Sequence, residues 1–191
     1  MIFTIQAHGR TRGDTKALVA HLEKTEAGQV VEVIRIAGSP AGDMGGAFAD
    51  FERIRDGSRA TIALQHLTLN PGQPWTAAQR DRTVARILKA LGGEAHGFVL
   101  VAHRNKPRSC GTAGDEHFHL VIAHVGPDLR ALRLSCSYAE LEAVRASLEV
   151  EFNEPLTPTR RSAAIAVRLR RDGRDAVAEQ VEAAARIQGD L

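Results

Sequence analysis

The sequence predicts an α/β sandwich: a mostly antiparallel sheet of about five strands with helices packed on it, followed by a basic helical C-terminal arm. Three observations lead there. Short β-branched runs alternate along the chain with capped, amphipathic segments of helical period. Some neighbouring strands are joined by loops of hairpin length, which favours antiparallel pairing. With 191 residues, 43% of them hydrophobic, the chain is sized for one sizeable core, a chain of this size burying roughly 70% of the surface its unfolded form exposes. The expected division is a core over residues 1–158 and the arm over 159–191.

The elements follow in order. Ile2–Gln6 is a short apolar strand, followed by the basic loop His8–Gly13. Asp14 can cap a helix through Leu18, Val19 and Leu22 that ends before Gly28. Val30–Ile36 alternates β-branched residues with Glu32 and Arg35 and reads as a strand. Asp43–Arg55 is helical and stops at Asp56-Gly57; Thr61–Leu69 is a strand ended by the turn Asn70-Pro71-Gly72. Thr76 and Gln79 form a capping box for a helix to Leu91, terminated by Gly92-Gly93. Gly97–His103 and His117–Val125 are strands joined by the polar loop Arg104–Glu116. Ser137 and Glu140 form a second capping box, for a helix to about Phe152, and Pro155 and Pro158 break the chain before the final helical stretch.

Composition excludes several classes. No apolar run approaches the roughly 20 residues needed to span a bilayer, and the N-terminus has neither a basic start nor a long apolar stretch, so a cytoplasmic protein without membrane insertion is expected. The two cysteines, Cys110 and Cys136, cannot form a disulfide framework and are expected as buried or inert thiols. Net charge is only +2, but Arg160, Arg161, Arg168, Arg170, Arg171 and Arg174 crowd one stretch. That cluster suits a phosphate backbone, although a solvated helix face looks the same.

The chemistry lies in the histidines. Strand alternation puts His117 and His119 on one face, with Phe118 and Leu120 on the other. If the two strands around the Arg104–Glu116 loop pair antiparallel, His103 lies beside them, and three imidazoles form a facial metal site with open positions. Burying three imidazoles without partners would cost free energy, which favours a ligand role. His66, His96 and His124 are expected as ordinary strand or turn residues, and Trp75 as packing rather than a base platform.

These residues carry a resemblance. Phe98–His103 followed by Asp115-Glu116-His117-Phe118-His119-Leu120-Val121-Ile122 resembles the third motif of HUH-type relaxases, the MobA/VirD2-like mobilisation nucleases. Gln65–Pro71 is similar to their second motif and Thr15–Glu26 to their first, which carries the nucleophile on a helix; Leu134–Phe152 and Leu156-Thr157-Pro158 are like the segment closing the nuclease core. Two departures stand out. Thirteen residues separate His103 from His117, with Asn105 where the family often has aspartate, and the first motif has no tyrosine. His21 occupies the nucleophile's position, as histidine does in a minority of the family. The only tyrosine, Tyr138, falls where replication-initiator and transposase HUH nucleases carry theirs and is the alternative nucleophile.

The resemblance implies the HUH nuclease fold and metal-dependent nicking and strand transfer through a covalent 5′-phosphoryl intermediate. In that reading His103, His117 and His119 hold manganese or magnesium (zinc also suits the ligands), His21 attacks, Glu26 orients it and Thr68 touches the phosphate. Arg10, Arg12, Lys16, Arg104, Lys106, Arg108, Arg160 and Arg161 would contact DNA. Implied partners are single-stranded DNA at an origin of transfer, relaxosome accessory proteins and a type IV secretion coupling protein, in a bacterial cytoplasm. Two other functions fit the same residues: a zinc hydrolase that uses the three histidines on a small substrate, and a non-catalytic DNA-binding accessory protein. Aromatic residues are only 4%, which is thin for stacking single-stranded bases.

Overall fold

The computed structural model describes residues 1–25, 28–105 and 116–187. Its elements are β1 (Ile2–His8), α1 (Arg12–Glu23), β2 (Val30–Ala37), α2 (Met44–Asp56), β3 (Leu64–Asn70), α3 (Ala77–Leu91), β4 (Phe98–Arg104), β5 (His117–Ala123), α4 (Ser137–Glu151), α5 (Ser162–Arg171) and α6 (Asp175–Ile187). The strands form one sheet in the order β1-β3-β5-β4-β2, every neighbouring pair antiparallel. Only β4 and β5 are neighbours both along the chain and in the sheet. The chain passes through α1 from one edge strand to the other and returns through α2 to β3, so both helices lie across the same face.

Alternation along the strands sorts the core into two layers. Leu67, Leu69, Leu100, Phe118, Leu120 and Ile122 pack under α3 and α4. On the other face Leu64, Val99, Val101, Val121 and Ala123 pack under Leu18 and Leu22 of α1 and Phe48 and Phe51 of α2. Trp75 joins the first layer, stacked on Phe118 at 5.5 Å between ring centroids, with its Nε1 donating to Glu154 at 3.2 Å.

The helix ends partly follow the sequence signals. The Thr76/Gln79 capping box forms, and Gly92 closes α3 in the left-handed conformation at φ 67°. Thr11, not Asp14, caps α1: its side chain accepts from the Asp14 N–H, and Asp14 is released for other contacts. The Ser137/Glu140 box does not form. The N-cap of α4 is Cys136, at φ 58°, without a side-chain cap. The Ser137 N–H that Glu140 would have served goes instead to the Leu134 carbonyl at 3.1 Å, and Glu140 pairs with Arg168 and Arg171. Cys136 is exposed rather than buried, and Cys110 lies outside the described residues.

The basic C-terminal segment folds back as an α5–α6 hairpin on α4, where Ile165, Ala166, Leu169, Ala178 and Val181 pack against Ala143 and Ala146. Beneath it lies a buried ionic knot. Glu149 accepts from the Met1 ammonium at 2.7 Å, from Arg145 at 3.1 and 3.2 Å, and from the Thr157 N–H at 3.1 Å. No helix among the described residues is long and apolar enough to cross a membrane.

Candidate metal centre and active site

The site is built on the central strand. Register places His117 opposite His103 and His119 between Val101 on β4 and Thr68 on β3. Directly opposed residues of antiparallel strands lie about 5 Å apart, so rigid backbone alone brings the rings together. Ring centroids are 5.0 Å apart for His103–His117, 4.6 Å for His103–His119 and 4.9 Å for His117–His119, and all three residues are buried. One nitrogen from each lies within 4.8 Å of the others. In a facial or tetrahedral site two metal–nitrogen bonds of about 2.1 Å set the nitrogens about 3.0–3.4 Å apart, so the three rings would draw closer around an ion, and the donor set fits a divalent cation with sites left open for oxygen ligands.

Hydrogen bonds decide which nitrogens are available. His66 Nε2 lies 2.8 Å from His119 Nδ1, which leaves His119 Nε2 free. His103 Nε2 lies 2.8 Å from the Leu22 carbonyl; a carbonyl only accepts, so Nε2 carries the proton. The remaining lone pair on Nδ1 faces the Gln29 side-chain amide at 3.3 Å. Leu22 is the neighbour of His21 on α1, so this bond ties the helix of His21 to the strand of His103. The His21 ring lies edge-on to His119 at 6.3 Å.

The cluster extends further than the sequence pattern indicated. His66, read as an ordinary strand residue, shares the face of Leu64 and Thr68 and packs on His119 at 5.0 Å. His8, at the end of β1, lies 5.7 Å from His66. Six of the eight histidines thus form one network. The only advance signal was that His66 has the parity of Thr68, because its neighbour β5 was not known to lie beside β3. The other two histidines are structural, as expected: His96 Nδ1 meets the Ala123 carbonyl at 2.8 Å and His124 faces Gln65 on the opposite layer.

Burial sets the charge of His119 and His66. It pushes His119 down to about 2, helped by the neighbouring histidines, and His66 down to about 4. Both are therefore neutral at physiological pH, the state in which an imidazole nitrogen can ligate a metal. Asp14, free of capping duty, accepts from His8 Nδ1 at 3.2 Å, from the Gly9 N–H at 2.6 Å and from the Arg10 N–H at 3.2 Å. Partial burial opposes its charge, but these bonds hold its carboxyl below the usual range. His8 Nε2 is buried and makes no hydrogen bond among the described residues.

The remaining sequence-derived residues are scattered. Thr68 sits opposite His119 on the same face. Arg10 lies exposed before α1, while Arg12 and Lys16 line a cleft of about 550 Å³ between α1 and α2. Arg104 is held by Glu32 at 2.6 Å and Glu116 at 2.7 Å, and the Glu116 bond leads in raising its pKa. Tyr138 is exposed on α4, whose apolar residues belong to the layer opposite the histidines, and lies under the Arg161 guanidinium at 5.9 Å. Arg161 also pairs with Glu142 at 2.9 Å, and Arg160 beside it is exposed. Glu26, Lys106 and Arg108 lie outside the described residues.

Comparison with known proteins gives one match. The family model described as relaxase, MobA/VirD2-like, nuclease domain, matches residues 21–153, well over half the chain. Searches of curated proteins and of solved structures return no match. The matched segment runs from His21 through all three central histidines, and the chain therefore belongs to the MobA/VirD2-like relaxases and carries their nuclease domain, whose general activity is the nicking of DNA for mobilisation.

Proposed function

We propose that this chain nicks one DNA strand at an origin of transfer by attack of His21 on the scissile phosphate, leaving the 5′ end linked to the enzyme. The observation that carries this reading is the His21 ring against His119 at the edge of a three-histidine cluster. An imidazole attacks through its own lone pair, whereas a phenol, with a usual pKa near 10, first needs a base. As the N–P bond forms, the P–O3′ bond breaks and the departing oxygen takes up a proton to become a 3′-hydroxyl. The second imidazole nitrogen releases one proton, which balances the exchange. Because phosphoryl linkage is conserved in the adduct, the reverse reaction rejoins the strand.

His103, His117 and His119 would hold manganese or magnesium. A bound divalent ion supplies charge against the non-bridging phosphate oxygens, where negative charge builds in the transition state. The protein's own contribution is placement. The Leu22 carbonyl fixes His103, His66 fixes His119, and Thr68 presents a hydroxyl beside them for a phosphate oxygen. Arg10, Arg12 and Lys16 lie at the start of the helix of His21 and are assigned to the DNA backbone, with the accessory and coupling proteins of transfer as further partners.

Incubation with manganese and single-stranded origin oligonucleotides, followed by a denaturing gel and peptide mapping, tests the reading. The expected product is an acid-labile adduct on His21, absent in His21→Ala and unaffected in Tyr138→Phe. An adduct on Tyr138 overturns the assignment of the nucleophile. No adduct with any oligonucleotide, despite metal binding that His117→Ala abolishes, moves the function to the hydrolysis of a small substrate.

A further inference from the structure

On the side of the sheet away from the histidines, α3, α4 and the turn between α5 and α6 enclose a cleft of about 740 Å³. Its walls carry Arg86, Lys89, Arg133, Arg171 and Arg174 against the acids Glu140 and Asp172. Glu140 is already bound by Arg168 at 2.9 Å and Arg171 at 3.4 Å. Lys89 and Arg133 are exposed at the C-terminal end of α3 and make no ion pair among the described residues. Arg86 is paired with Glu151 through one guanidinium nitrogen, and through another it shares the Ser147 hydroxyl, at 3.3 Å, with Arg174, which has no ion-pair partner among the described residues. Burial first, and the charge of Arg86 next, hold Arg174 below the usual arginine range.

We propose that this cleft is a second anion site that takes the phosphodiester backbone of DNA, on the face opposite the cleavage site. Lys89, Arg133 and Arg174 line the cleft without an ion pair among the described residues, an anion lying between them would satisfy all three, and guanidinium forks match phosphate oxygens in pairs. The lining has no aromatic side chain, so the cleft offers no base stacking and reads no sequence. Its contribution is electrostatic: it holds a second DNA segment while the histidine face works on the first. The choice of DNA as the polyanion rests on the nuclease reading above, whereas the anion site itself rests on the cations.

The test titrates the full chain with a short labelled DNA duplex of random sequence across a salt series, for wild type and for K89Q/R133Q. Both substituted side chains are exposed, so the thermal melt should not change. Each backbone contact contributes roughly 0.9 to the slope of log K against log salt, so the variant's slope should flatten by about 2. K89R/R133K should retain the slope, and both variants should nick a short origin oligonucleotide at the wild-type rate. An unchanged slope in K89Q/R133Q overturns the second site alone. Absence of any duplex binding by a wild type that still nicks the single-stranded origin oligonucleotide overturns this site and leaves the nuclease reading intact. A labelled polyglutamate peptide is titrated in parallel. If the substitutions abolish its binding but leave the DNA slope intact, the cleft serves an acidic protein and the proposal fails.

Discussion

Replacing His66 by alanine should weaken manganese binding without unfolding the protein. In the wild type His66 Nε2 sits 2.8 Å from His119 Nδ1, and both groups are buried. To offer its Nε2 lone pair to an ion, His119 must carry its proton on Nδ1, where His66 accepts it. Without His66 that buried proton loses its hydrogen-bond partner. The metal-free protein escapes by moving the proton to Nε2; the metal-bound protein cannot. The penalty therefore falls on the bound state alone and equals that of one unsatisfied buried donor, about 1–3 kcal/mol. At about 1.4 kcal/mol per tenfold, affinity should drop about 5- to 150-fold, in line with the usual effect of removing a group that orients a ligand. Competition against a fluorescent chelator measures it, with far-UV circular dichroism as the fold control. His96→Ala, on the other face, should leave affinity unchanged. Wild-type affinity in a folded His66→Ala protein would refute the argument that this bond sets the tautomer of His119.

Three further outcomes are expected. Metal-free protein should lose stability as pH falls: the unfolded chain takes a proton on His66 near pH 6.5, the folded one only near 4, so the loss begins below pH 6.5 and reaches on the order of 3 kcal/mol by pH 4. His124, also lowered chiefly by burial, acts in the same direction; urea melts at pH 7 and pH 5 check the sign, and equal midpoints would contradict it. Glu149→Ala removes the only carboxylate paired with buried Arg145 among the described residues and leaves the Met1 ammonium with Glu154 at 3.6 Å; a loss of about 3–5 kcal/mol in chemical denaturation is expected, and a loss below 1 kcal/mol would mean water reaches the knot. Gly97→Ala puts a Cβ 2.3 Å from Phe51 Cε1, and a well-packed core should answer with about 1–3 kcal/mol of destabilisation, read as a lower melting temperature with metal affinity retained.

What the sequence by itself determined is whatever local periodicity and short-range chemistry control. Alternation in His117-Phe118-His119 assigns the faces, and a hairpin pairing of the flanking strands is enough to bring His103 to them. The Thr76/Gln79 box and Gly92 bound α3 because their hydrogen bonds close within a few residues. The α4 box failed for the complementary reason: Glu140 had a closer claim from Arg168 and Arg171, which lie some thirty positions along the chain.

Tertiary structure decided the rest. The strand order set β3 against β5 and β1 against β3, which delivered His66 and His8 to the cluster; no local pattern encodes which strand lies next to which. The passage of α1 across that face placed the Leu22 carbonyl on His103 and the His21 ring beside His119. The C-terminal arginines, equally basic in the sequence, were sorted by packing into those neutralised by Glu140, Glu142 and Glu182, an exposed one, Arg160, and one, Arg174, that shares the Ser147 hydroxyl with Arg86. A charge's availability depends on what folding brings within about 4 Å of it, and that distance belongs to the fold rather than to the order of residues.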